Sequence, residues 1–144
     1  MGGSKYETDF YGWANEQAGL LRTRRLNEAE LDNIAEEIES MGRGEKRELV
    51  NRLAVLLAHL LKWQFQPGLR STSWRLTIIE QRKRLARHLI DNPSLKPSLP
   101  EALADAYDLA RLTAQRETGL LDNTFPPTCP FSFEQAADEQ FWPD

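Results

Sequence analysis

Leu49-Val50-Asn51-Arg52-Leu53-Ala54-Val55-Leu56-Leu57-Ala58-His59-Leu60-Leu61-Lys62-Trp63 decides the fold of this chain. Leu49, Val50, Leu53, Leu56, Leu57, Leu60, Leu61 and Trp63 recur at helical spacing and cover well over half the circumference. A helix that apolar is central and touched on several sides. The run is broken by His59 and is too short to cross a bilayer, which takes about 20 residues. It ends at Pro67-Gly68.

The same period dominates on both sides of this segment, and no alternating strand pattern is found. A first helix is expected from about Asp9 to Thr23, capped by Thr8. Asn27-Glu28-Ala29-Glu30 reads as a capping box for a second helix from Glu28, with Leu31, Ile34, Ile38 and Met41 as its buried stripe. Gly42 and Gly44 should end or kink that helix, since each costs about 1 kcal/mol against Ala in a helix interior. After Ser71-Thr72-Ser73 a fourth helix is expected from Trp74 to Ile90. Ser98-Leu99-Pro100-Glu101 reads as a second capping box that opens a fifth, which Gly119 closes with a left-handed cap. The prolines of Phe125-Pro126-Pro127-Thr128-Cys129-Pro130-Phe131 exclude helix there. Ser132 caps a short sixth helix to about Gln140, and the many aromatics of this tail predict that it packs back. Trp63 and Trp74 lie on apolar stripes and are expected to be core.

The chain has 144 residues, 40% hydrophobic and 28% charged, which suits one soluble globular domain over 1–144 with an ordered core of about 6–143. A net charge of −4 argues against a nucleic-acid packager. Cys129 is the only cysteine, so no internal disulfide forms, and a reducing compartment is expected. The polar stretch from Gly2 to Asp9 lacks the apolar segment of a signal peptide. The expected location is cytoplasmic, with no membrane association.

The order of motifs adds a resemblance. Leu31-Asp32-Asn33-Ile34-Ala35-Glu36-Glu37-Ile38-Glu39-Ser40 precedes Leu56-Leu57-Ala58-His59-Leu60-Leu61-Lys62-Trp63-Gln64. Ser73-Trp74-Arg75, Glu80-Gln81-Arg82, Glu117-Thr118-Gly119-Leu120 and Phe125-Pro126-Pro127-Thr128-Cys129-Pro130 follow. The set resembles the bacterial family of domain of unknown function 29 over nearly the whole chain, Tyr6 to about Pro143. The resemblance implies an all-helical protein and brings no activity with it. Gly44 departs from the polar residue expected there, which leaves open whether the helices around Gly42 and Gly44 are separate or one bent rod.

Few residues invite a chemical role. Glu36, Glu37 and Glu39 suggest a metal site, yet Ser40 stands where a third carboxylate would share their face, so a solvated acidic helix is preferred. A di-iron bundle needs Glu-x-x-His, but Leu56 and Leu85 precede His59 and His88 at that spacing. No nucleophile elbow occurs. Cys129 has no basic neighbour in sequence to activate it. From Arg70 to His88 there are six basic residues against one acid, Glu80, and Lys83, Arg84 and Arg87 share the face away from the apolar stripe. Those three are the candidate partner-binding residues. Arg75 and Arg82 match Glu30 and Glu37 in seven-residue spacing, which predicts an ion-pair ladder between their helices.

The expected fold is all-α, a single-domain helical bundle of about five main helices with a short C-terminal helix on an aromatic, proline-rich tail. The expected function is a non-catalytic interaction or regulatory protein without a cofactor, binding another protein or a second copy of itself. A nucleic-acid accessory binder using the basic helix 70–90 is the alternative. A metal-dependent hydrolase using the acidic helix 28–41 comes last.

Overall fold

A computed structural model describes residues 5–144. The fold is all-α. Six α-helices, α1 (Lys5–Thr8), α2 (Phe10–Arg22), α3 (Leu31–Phe65), α4 (Thr72–Asp91), α5 (Leu99–Thr118) and α6 (Phe133–Ala137), account for it, with no strand among the described residues. None of these helices is long and apolar enough to cross a membrane. Packing divides the chain into two compact units, one reaching Gly44 and the other Glu45–Asp144.

Several helix boundaries differ from the sequence expectation, each for a local reason. Asp9, not Thr8, caps α2, its carboxylate accepting from Gly12 N at 3.1 Å. The carboxylate also suits the positive end of the helix dipole. A Cβ at Gly12 would stand 2.5 Å from Asp9 Oδ2, so a larger residue there would push the capping carboxylate aside. The capping box at Asn27 does not form, and α3 begins only at Leu31. Its cap comes from α2 instead: the Gln17 amide oxygen accepts from Glu30 N at 2.7 Å, while its NH2 donates to the Glu30 carboxylate at 3.1 Å. A long-range pair of this kind has no local spacing to betray it.

The glycines do not interrupt α3, which runs 35 residues through both of them. Arg43 donates back to Glu36 at 3.1 Å and lies 3.9 Å from Glu39, bracing the helix on either side of Gly42. Two glycine penalties of about 1 kcal/mol each are tolerated in a helix with this much cooperative length.

In the first unit Tyr6, Phe10 and Trp13 form a ring cluster, with Tyr6 and Trp13 centroids 4.5 Å apart. The Tyr6 hydroxyl donates to Glu37, whose carboxylate holds the proton in place and pushes the phenol up to about 12. The expected buried stripe is a correction: Leu31, Ile38 and Met41 are 51%, 63% and 69% exposed.

The second unit has the core predicted from Leu49 to Leu61. Leu49, Leu53, Leu56, Leu57, Leu60 and Leu61 are all fully buried, against Ile78 and Leu85 of α4 and Ala102, Ala106, Ala110 and Ala114 of α5. The alanines of α5 and the leucines of α3 belong to one buried apolar cluster. The tail does pack back. Phe125 and Phe131 are buried, and the Tyr107 hydroxyl donates to Pro126 O at 2.6 Å. Trp63 and Trp74 are only half-buried. Trp63 lies 4.8 Å from Trp142, with the Arg70 guanidinium over its ring, and the Lys62 ammonium stands 5.1 Å from the Trp74 ring.

Lys62 is a buried cation, 4% exposed, that donates to Glu117 at 2.9 Å. This hydrogen bond holds the Glu117 carboxyl below its ordinary value of 4.5. A depressed carboxyl contributes stability that is present above its ordinary value and lost as pH falls through the folded one. Glu117→Gln is therefore expected to lower the melting temperature at neutral pH and to flatten its fall below pH 4.5. Melting curves of both proteins across that range check it, and parallel curves would contradict it.

Candidate functional site

The outer face of α4 carries the residues singled out as partner-binding. Ser71 caps this helix by accepting from Trp74 N. Lys83, Arg84 and Arg87 are exposed, at 67%, 52% and 75% of their side-chain surface, yet each stands beside an acid. Lys83 donates to Glu139 at 3.3 Å, Arg84 lies 3.5 Å from Glu80, and Arg87 lies 3.3 Å from Asp91. The basic run visible in the sequence is thus a largely neutralised surface, through i,i+4 pairs at the arginines and through the folded-back tail at Lys83. Exposed pairs of this kind are weak, so they reduce the positive character of this face without removing it. Arg84 and Arg87 are brought together with Glu45, Glu48, Arg52 and His88 around a cleft of about 420 Å³. Lys83 is not part of it.

Three of the four residues of the expected ion-pair ladder take other roles, which is a correction. Arg82 is 2% exposed and donates from Nε to Ala136 O and from Nη2 to Phe141 O, both at 2.7 Å. Its guanidinium also lies over the Trp142 ring at 5.3 Å. Burial pushes this guanidinium down from its ordinary value. Arg82 is thus a clamp on the C-terminal tail, and Arg70 is a second, donating to Trp63 O and Pro143 O. Glu30 is engaged by Gln17 and Asn33, and Glu37 by Tyr6. Arg75 is exposed. Matched spacing identifies boundary positions, but backbone carbonyls of an irregular tail make no pattern that spacing could reveal.

His88 has no glutamate before it at the di-iron spacing, so its sequence context gives no sign of a role. The structure gives it partners from another helix. It is 8% exposed, with Nε2 at 2.9 Å from Glu45 O and Nδ1 at 3.6 Å from Glu48 Oε2. Glu48 in turn accepts twice from Arg52, at 2.7 and 3.0 Å, through Oε1 alone. That pairing lowers the Glu48 carboxyl from its ordinary value, with burial opposing. The other candidates are quiet. His59 Nδ1 sits 2.8 Å from Val55 O, with burial lowering its ring. The Cys129 thiol donates to Phe131 O, and burial pushes it up, away from the reactive thiolate. Glu36 and Glu39 are taken up by Arg43.

The apolar face at the start of α3 is the feature whose period places it in the core and whose surroundings leave it outside. At 100° per residue Leu31, Ile38 and Met41 fall within about 80° of arc. Ala35 and Gly42 border them, so a partner backbone would meet no bulky rim there. Exposed Asp32, Glu36 and Glu39 form a band alongside. Up to Gly44 the chain carries nine acids against five bases, so the whole net charge of −4 resides there.

An all-α chain with an acidic, apolar helix face and a neutralised basic helix is the class that fold and surfaces define. The chain belongs to the family described as domain of unknown function DUF29, whose profile matches residues 5–142. No curated protein and no solved structure matches it.

Proposed function

We propose that this chain is a non-catalytic interaction module whose docking surface is the first half of α3, and that it binds a basic amphipathic helix of a partner protein. The observation that carries the reading is the exposure of Leu31, Ile38 and Met41 on one side of a rigid helix. Isolated exposed apolar residues need no explanation, but a continuous helical stripe is the kind of surface that partners cover. Covering the remaining surface of each side chain is worth roughly 1 kcal/mol or more. The occupant follows from charge: a second copy would set one net charge of −4 against another, whereas a lysine- or arginine-rich helix complements the acidic band. The single, unactivated cysteine suits a reducing bacterial cytoplasm as the setting.

Fluorescence anisotropy with a labelled lysine-leucine amphipathic peptide tests it, against a glutamate-leucine peptide of the same pattern. The basic peptide is expected to bind, and Ile38→Glu with Met41→Glu to weaken it by at least about tenfold, the worth of 1.4 kcal/mol. Binding should also fall as salt rises. Equal binding of both peptides, self-association of the free protein through this face, or indifference to the double substitution would each overturn the reading.

A further inference from the structure

The cleft between α3 and α4 holds a second device, independent of the apolar face. Glu45 and Glu48 are one helical turn apart on α3, and His88 reaches them from α4. One ligand atom from each lies within 4.8 Å of the other two. Acidic pairs on a helix surface are common and mean little alone. His88 sets this one apart, because it is nine-tenths buried yet uses only one of its ring nitrogens for a hydrogen bond.

The partner of Nε2 is a backbone carbonyl, which accepts only, so Nε2 carries the proton. A ring with a single proton therefore carries it on Nε2 and keeps its lone pair on Nδ1. That nitrogen makes no hydrogen bond and faces Glu48 Oε2 at 3.6 Å. A positive centre suits the space between Nδ1 and Oε2, and a bound cation would take the place that a second ring proton otherwise fills. A metal-ligating histidine characteristically donates its other N–H to a carbonyl or carboxylate, and ligating carboxylates are themselves hydrogen-bonded. Both conditions hold here: Glu45 O receives Nε2–H, and Arg52 holds Glu48 through Oε1, leaving Oε2 for a ligand.

We infer that Nδ1 of His88 and the carboxylates of Glu48 and Glu45 form a binding site for a first-row divalent cation of the zinc class. One imidazole nitrogen with two carboxylate oxygens is the donor set of such an ion, rather than of magnesium, which takes oxygen ligands. With bonds of about 2.0–2.2 Å, neighbouring ligand atoms stand roughly 3.3 Å apart, close to the spacing of Nδ1 and Oε2. The Glu45 carboxylate lies 3.7 Å from Nε2 and, being about half exposed, must swing toward Nδ1 to complete the set. The open side of the cleft leaves room for water as a further ligand. Arg84 and Arg87 also face the cleft, but both are more than half exposed and paired with Glu80 and Asp91, so solvent screens their repulsion of a cation.

Chelator-treated protein titrated with Zn2+ by calorimetry, and with Co2+ by visible absorption, decides the matter. One equivalent of each is expected to bind, and Co2+ should show the intense d–d bands of a site with fewer than six ligands. His88→Ala should abolish the bands. Glu45→Gln, on an exposed side chain that folding does not need, should weaken Zn2+ by about tenfold or more. His59→Ala should change nothing. No binding, an unchanged titration in both Glu45→Gln and His88→Ala, or loss of binding in His59→Ala would overturn the assignment. If His88→Ala fails to fold, the Glu45→Gln titration decides by itself: weakened Zn2+ binding supports the site and unchanged binding overturns it.

Discussion

Arg82→Met should lower stability by about 3–5 kcal/mol, because it strips charged donors from two carbonyls of the tail. A hydrogen bond to a charged group is worth about 1.5–3 kcal/mol, and the donors to Ala136 O and Phe141 O are both 2.7 Å bonds. Methionine keeps much of the volume but leaves the buried Ala136 O and the part-buried Phe141 O without these donors. The guanidinium also supports Trp142, which packs on Trp63. Losing it should free the tail from Phe133 onward before the rest of the unit unfolds. Urea denaturation followed by tryptophan fluorescence reads both effects. A loss under about 1 kcal/mol would mean the tail is held by its aromatics and not by this clamp.

Leu57→Ala has the next largest expected effect, about 2–5 kcal/mol, as a fully buried leucine in a close-packed core. Val55, two residues away on the same helix, is 39% exposed, and Val55→Ala should cost under about 1 kcal/mol. The contrast between the two matters more than either value. Equal losses would mean that α3 does not present its Leu53–Leu57–Leu60 side to the core.

How much of the fold is legible in the sequence depends on where the information lies. Helix content and the central Leu49–Leu61 segment are legible because burial on several sides leaves a dense apolar pattern. The αL cap at Gly119, with φ of 73°, is legible for a stereochemical reason. So is the Ser132 cap of α6, where Gln135 completes a capping box. The continuity of α3 is not legible, since local glycine penalties say nothing about the salt bridges that span Gly42. Nor is the exposure of Leu31, Ile38 and Met41. Period alone gives a face its apolarity and never its cover, so a docking stripe and a core stripe read alike. Lys83, Arg84 and Arg87 do share one exposed face, as their spacing indicates. Their neutralisation by Glu139, Glu80 and Asp91 needs the tail and the helix register together. His88 is silent in the sequence because its partners come from a different helix.

The central claim is that the acidic apolar half of α3 is the surface this protein uses. Backbone amide shift mapping of the 15N-labelled protein during titration with the basic amphipathic peptide tests it most directly. The account predicts perturbations concentrated on residues 31–43, with those of α4 silent. Perturbations centred on Lys83, Arg84 and Arg87, or scattered without a continuous face, would contradict it.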